Sequence, residues 1–205
     1  SRVAKKNALP ALIDSQFAEL VMIGSRSPED ARACAEQFDC ALYGTYEEVL
    51  ANKDVDAVYI SLPNSLHEEW AIKAAQVGKH VWCEKPAALT YASAKRMIAA
   101  CKKNNVRLME GFMFLSHPQH AQVKKLIDDG VLGELLVFNG CFAYRMPNTE
   151  SNARNNKLGG GSYNDSAPYP IRASKMIFDD DPESIVCNLK VDPKTQVDVK
   201  SDMLL

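Results

Sequence analysis

The sequence predicts an α/β fold: a parallel sheet covered by helices in the first half, followed by part of an α+β domain with an open sheet. Three observations carry this expectation. Short apolar segments alternate with helix-length segments between residues 19 and 110, the pattern of repeated strand–helix–strand units. Beyond residues 111–118 the pattern changes to a helix, a long part-alternating segment, a polar loop, another helix and two further strand-like segments. Polar and charged residues gather at the carboxyl ends of the first-half strands, where sheets of this kind hold their ligands.

The bulk properties set limits. The chain has 205 residues, 46% apolar and 24% charged, which is ordinary globular composition. Its net charge of −2 gives no basic field for nucleic acid or an anionic membrane surface. The longest apolar runs are too short to span a bilayer, and the first residues, SRVAKKNALPAL, contain no signal-peptide core. Six cysteines occur without a C-x-x-C pair, mostly within apolar patterns. Reduced thiols in the core of a cytoplasmic protein fit this spacing better than a disulfide scaffold or a zinc site.

The elements follow in order. ELVMIG (19–24) reads as a buried strand. Ser27, Pro28, Glu29 and Asp30 then open a helix, with a capping serine, proline in the first turn and acids at the positive end. Thr45 with Glu48, and Ser65 with Glu68, have the spacing of capping boxes ahead of two further helices. DAVYIS (56–61), HVWC (80–83) and RLME (107–110) read as strands, and 91–104 as a helix with Met97, Ile98 and Cys101 on one stripe. In the second half, 118–129 reads as a helix ending at Gly130 and 134–144 as a long strand. Gly159-Gly160-Gly161 introduces a helix through Phe178, and 184–191 and 197–205 read as strands.

No G-x-G-x-x-G lies between a strand and a helix, and the last strand pattern runs to the final residue. The sequence therefore reads as a segment of a longer protein, or as an unusual truncated form, lacking the first strand and glycine loop of its sheet. The expected domains are 1–112, an incomplete dinucleotide-binding domain, and 113–205, an incomplete α+β substrate and oligomerisation domain.

The strand ends carry Ser25-Arg26, Leu62-Pro63-Asn64 and Glu84-Lys85-Pro86. An isolated Glu84-Lys85 pair is most simply a solvated salt bridge; at this edge of a parallel sheet it is a candidate ligand contact. Ser25 and Arg26 follow the strand after which NAD-specific sites usually place an acid, and a guanidinium there suits the 2′-phosphate of NADP. His117 and His120 are three apart, but Pro118 starts a helix between them and no third ligand is evident, so capping or packing is expected and no metal.

Taken together, GKHVWCEKP, DVDAVYISLPNSLHEEWAIKAAQVGKHV, HPQHAQVKKLIDDGVLGEL and LGGGSYNDSAPYPIRA resemble the Gfo/Idh/MocA family of NAD(P)-dependent oxidoreductases over nearly the whole chain. The resemblance implies a Rossmann-type parallel sheet and hydride transfer between nicotinamide and a hydroxyl or keto carbon of a sugar, sugar nucleotide or cyclic diol. It implies a nicotinamide cofactor, of which Arg26 favours NADP with NAD the second candidate, a carbohydrate-like substrate, and a homo-oligomer built through the open sheet. It assigns Lys85 and Tyr169 as the catalytic pair and Leu62, Pro63, Asn64, His67, Glu84 and Lys85 to the cofactor; Ser25 and Arg26 join them by their place after the strand. Arg154, Asp165, Lys85 and Tyr169 fall to the substrate. The glycine usual between the aspartate and the tyrosine is Ala167 here, followed by Pro168, and Leu115 stands where many members carry arginine, as in the branch acting on nucleotide-linked 3-ketosugars. The rival readings are a non-catalytic nucleotide-binding regulator or degenerate family member, and an assembly module; retention of both Lys85 and Tyr169 favours the enzyme.

Overall fold

Strand–helix–strand connections return the chain in the same direction, so the alternation of the first half yields parallel pairs. The computed structural model of the chain describes residues 1–145 and 151–205. The chain divides into two compact units. One comprises Ser1–Leu62, Leu66–Glu84 and Thr90–Met109; the other comprises Pro63–Ser65, Lys85–Leu89 and Glu110–Leu205.

In the first unit a π-helical stretch, Ala4–Ala8, runs into α1 (Leu9–Ile13). Strands β1 (Met22–Gly24) and β2 (Leu42–Gly44) pair in parallel, with α2 (Pro28–Gln37) as the crossover. The ladder of β1 is shorter than the apolar run that announced it. Helix α3 (Tyr46–Ala51) leads to β3 (Ala57–Ile60), α4 (His67–Gln76), β4 (His80–Glu84), α5 (Tyr91–Lys103) and β5 (Leu108–Gly111). These three strands form a second sheet in the order β3-β4-β5, and β3 and β4 are parallel with Tyr59 opposite Trp82. Ala4, Leu9, Ile23, Cys34, Ala35 and Cys40 form one buried cluster. Helix α4 buries Ala71, Ala74 and Ala75, whose short side chains allow close packing, and α5 buries Met97 and Cys101.

The caps separate a correct expectation from an incorrect one. Ser27 accepts from the Asp30 amide, and the Thr45–Glu48 box closes in both directions, at 3.2 Å from the Glu48 amide and 2.6 Å from the Thr45 amide. The Ser65–Glu68 box does not form. Asn64–Leu66 is a tight 3-10 turn, and α4 begins without a side-chain cap. Glu68 is claimed from outside its own helix by Ser93 at 2.7 Å and by the Arg96 guanidinium. A charge-assisted pair with Arg96 outcompetes a local backbone bond.

In the second unit, α6 (Pro118–Asp128) is capped by His117, whose Nδ1 accepts from the Gln119 amide at 3.2 Å. Residues 134–144, expected as a strand, form no ladder in this structure. Apolar alternation supplies a face but no partner edge, and strand structure requires the partner. The helix expected after the glycines is broken in two, α7 (Ser162–Asp165) and α8 (Pro168–Phe178). Strands β6 (Val186–Val191) and β7 (Asp198–Leu204) pair antiparallel. Among the described residues the six cysteines form no disulfide, no helix is long and apolar enough to cross a membrane, and no three metal-ligating side chains sit together.

The two caps make opposite predictions. Thr45→Ala is expected to lower unfolding free energy by about 1 kcal/mol, because it removes a formed cap. Ser65→Ala is expected to change it by less than about 0.5 kcal/mol. Urea unfolding monitored by circular dichroism checks both, and equal losses would contradict the assignment of the caps.

Candidate active site

The second unit brings Lys85, Asp165 and Tyr169 together. The Lys85–Pro86 peptide is cis, and the turn that follows is tied down by the Ala87 amide, which donates to Glu110 Oε1 at 2.8 Å. Lys85 Nζ donates to Asp165 Oδ1 at 2.9 Å and to the Asp165 carbonyl oxygen at 2.7 Å. The Lys85 side chain is only 14% exposed, so this pair is shielded far more than a surface salt bridge. The ion pair therefore joins Lys85 to a residue distant in sequence, and not to its neighbour Glu84.

Lys85 Nζ also stands 4.9 Å from the centroid of the Tyr169 ring, over its face. The ammonium thus meets the ring's electron-rich face. Phe142 stacks on Tyr169 at 4.7 Å, and Phe112 and Phe114 approach it at 5.8 and 5.9 Å. The Tyr169 hydroxyl has no hydrogen bond among the described residues, which leaves its proton and lone pairs open to a ligand. Asp165 and Tyr169 were expected on one helical face. Instead they belong to separate helices, and both reach Lys85. Ala167 at the junction has φ −62° and ψ −29°, a right-handed backbone that alanine adopts without strain, so the departure from glycine costs nothing here.

The glycine turn ahead of α7 positions Asp165. Gly159 and Gly161 have φ of 75° and 110°, and a Cβ on Gly161 would lie 2.0 Å from Asp198 Oδ1. Asp198, on β7, accepts from the Ser162 hydroxyl at 2.7 Å and the Tyr163 amide at 2.5 Å, supplying the missing cap of α7. Asn64 Nδ2 donates to the Gly159 carbonyl at 2.9 Å. Asn64, expected at the cofactor, here supports this turn.

Two side chains of this site escaped sequence reasoning. Tyr144 donates to Asp165 Oδ2. Burial, then this hydrogen bond and the nearby carboxylate charge, push its phenol well above the ordinary tyrosine range. The other is Asp198, for which no local pattern exists.

Arg154, expected at the substrate, ends a 3-10 turn and lines a surface depression with Ser151, Lys157 and Gln196. Pro63 is half-buried beside Asn64.

The first unit carries the other expected cofactor residues. Ser25 and Arg26 follow β1; the Ser25 amide donates to the Gly44 carbonyl at 2.9 Å, and Arg26 is exposed with no ion pair among the described residues. The nearest acid, Glu29, is turned to the Ser27 hydroxyl at 2.6 Å, which holds its carboxyl below the usual range. Leu62 is half-buried. His67 was expected to touch the cofactor, but it is 0% exposed and its Nε2 lies 2.9 Å from the Leu62 carbonyl oxygen. It braces the loop from inside. Glu84 Oε1 accepts from the Tyr59 hydroxyl at 2.5 Å, and Tyr59 rests on Trp82 at 4.5 Å. Burial, then the bond to Glu84, raise Tyr59 far above its ordinary range.

Comparison with known proteins adds the following. Residues 2–112 match the family described as "Oxidoreductase family, NAD-binding Rossmann fold", and residues 120–205 match the "GFO/IDH/MocA C-terminal domain". The chain is 37% identical over 204 residues to the dTDP-3,4-didehydro-2,6-dideoxy-alpha-D-glucose 3-reductase of Actinomadura kijaniata, covering 99% of this chain and 61% of that protein. It is 36% identical to an uncharacterized oxidoreductase of Rhizobium meliloti, covering 96% of this chain and 59% of the other. Among solved structures, KijD10, a 3-ketoreductase from Actinomadura kijaniata in complex with NADP and TDP-benzene, superposes with a TM-score of 0.90 at 34% identity, over 98% of this chain and 62% of that one. An aldose-aldose oxidoreductase from Caulobacter crescentus superposes with a TM-score of 0.87 at 28% identity, over 99% and 64%. The chain thus spans about three fifths of the length of the curated relatives it matches.

The two raised phenols are open to titration. Tyr59 and Tyr144 are expected to ionise only above the ordinary tyrosine range of about 10. Phenolate absorbance against pH should show this lag, and Tyr144→Phe should remove one late phenol. An unchanged late transition in Tyr144→Phe would contradict it.

Proposed function

The chain belongs to the Gfo/Idh/MocA oxidoreductase family, and on that premise we propose that the full-length protein is an NADP-dependent oxidoreductase. It moves hydride between the nicotinamide and a hydroxyl or keto carbon of a sugar, sugar nucleotide or cyclic diol. The observation that carries this reading is the meeting of Lys85, Asp165 and Tyr169 around one part-buried ammonium. The reductase from Actinomadura supports a keto-sugar linked to a nucleotide as the substrate class.

Each residue has a task. The Lys85 ammonium donates to the substrate oxygen and stabilises the negative charge that grows on it during reduction. Tyr169 gives its hydroxyl proton to that oxygen, or takes it in the reverse direction. Asp165 holds Lys85 and presents its carboxylate to sugar hydroxyls, and Arg154 is a second candidate for the substrate. Glu84, fixed by Tyr59, would accept from the nicotinamide ribose hydroxyls, and the loop of Leu62, Pro63 and Asn64 would run along the cofactor. The cofactor, when bound, supplies the hydride. The chain's fit to NADP is a matter of donor chemistry: Ser25 and the exposed Arg26 offer a hydroxyl and a planar fork of N–H donors after a parallel strand, and Glu29 in the following turn is engaged by the Ser27 hydroxyl.

We assign residues 1–112 to the dinucleotide-binding domain and 113–205 to part of the substrate and oligomerisation domain. The unbridged cysteines support a cytoplasmic setting, and the family resemblance supports a homo-oligomer built through the open sheet.

NADPH oxidation by the full-length protein, measured against keto-sugars and their dTDP conjugates, tests the reading. Lys85→Met and Tyr169→Phe should each lower turnover by about 10²–10⁴-fold while NADPH binding persists. Near-normal turnover in both variants would remove the mechanism.

Cofactor choice is a separate prediction. A charge-assisted hydrogen bond contributes about 1.5–3 kcal/mol, or roughly ten- to a hundred-fold in affinity. Arg26→Ala should weaken NADP binding by about that factor and leave NAD nearly unchanged. Calorimetry with both cofactors decides it; equal losses would move Arg26 to a role in folding or adenine stacking.

A further inference from the structure

The Lys85 ammonium sits at the end of a flexible four-carbon stem, and the carboxylate that holds it turns about a soft torsion. One donor on Asp165 would leave that carboxylate free to swing. It has two, on opposite oxygens: Lys85 on Oδ1 and Tyr144 on Oδ2. We propose that Tyr144 is a positioning residue, whose hydroxyl fixes the plane of the Asp165 carboxylate so that Oδ1 holds Lys85 in line with the reacting oxygen. This inference rests on the role given to Lys85 under the proposed function.

Two further observations support it. Phe142, two residues earlier, stacks on Tyr169 at 4.7 Å, and the Phe142 and Tyr144 rings lie 6.2 Å apart on one side of the segment. One short stretch of chain therefore touches both Tyr169 and the partner of Lys85. The phenol of Tyr144 is raised by burial and by Asp165, so it stays protonated at neutral pH and remains a donor throughout the working range. Tyr144 is also 50% exposed, so losing its hydroxyl leaves no buried hole and no buried unpaired group on its own side.

The test is a double-mutant cycle in the full-length protein, with NADPH and the most active keto-sugar conjugate from the panel. Tyr144→Phe keeps the ring and removes only the donor. It should lower kcat about ten-fold, the size of effect that loosened positioning produces, with KM for NADPH unchanged. In an Asp165→Asn background the same substitution should cost nothing further, because the group it positions has gone. An unchanged kcat, a rise in NADPH KM that accounts for the loss, or an equal ten-fold loss in the Asp165→Asn background would overturn the inference. Should Tyr144→Phe fail to melt cooperatively, Tyr144→Met takes its place and is judged by the same outcomes. Lys85→Met is run alongside: normal turnover there defeats the underlying mechanism, whereas its loss combined with a normal Tyr144→Phe defeats this inference alone.

Discussion

The ion pair between Lys85 and Asp165 is the contact on which the candidate site depends. A part-buried ammonium loses hydration, and it is tolerated only where acceptors replace the water. Asp165 provides two, one from its side chain and one from its backbone carbonyl. Pairs of this kind give little net stability compared with well-packed apolar side chains. Their presence is better explained by what the ammonium does than by what it adds to folding. Other features of the unit serve this one contact. The turn at Ala87 is pinned to Glu110, the glycines let the chain pass close to Asp198, and the break before Pro168 lets Asp165 and Tyr169 approach Lys85 from two helices.

Much of the first unit was legible because its signals are local. A serine before a proline and two acids marks a helix start whatever surrounds it, and Ser27 caps α2 as expected. The Thr45–Glu48 box closes for the same reason. The Ser65–Glu68 box had the same spacing and failed, because Glu68 found Arg96 on another helix. Spacing reveals which bonds are available and not which competitor is present. Lys79 shows the same limit: it is 8% exposed and donates to the carbonyls of Asn52 and Val55 at 2.6 Å each. Those carbonyls end a helix and a loop that lie more than twenty residues earlier, and no local pattern announces them.

The candidate site divides along the same line. Glu84-Lys85-Pro86 was found because an apolar strand ending in charge is a local anomaly. Asp165 and Tyr169 were found through resemblance, but their arrangement was misjudged, since a four-residue spacing suggested one helix where there are two. Residues 134–144 were read as a strand by alternation, and the aromatic side chains that supply this pattern do other work: Phe142 packs on Tyr169 and Tyr144 reaches Asp165. Hydrophobic alternation cannot distinguish a ladder from a wall of a site, because both need side chains aligned on one side of an extended segment.

Glu84 and Asp165 share a physical device. Each carboxylate has a tyrosine hydroxyl directed at one of its oxygens, Tyr59 in one unit and Tyr144 in the other. Each phenol is raised by burial first and by its carboxylate second. A lysine or arginine in either place would also hold the carboxylate, but it would cancel its charge. A phenol orients the group and leaves the charge intact. For Asp165 that distinction matters, because its remaining charge is what draws the Lys85 ammonium. For Glu84 it preserves an acceptor for ribose hydroxyls. Neutral donors on working carboxylates therefore follow from the chemistry: the acids must be rigid and still charged.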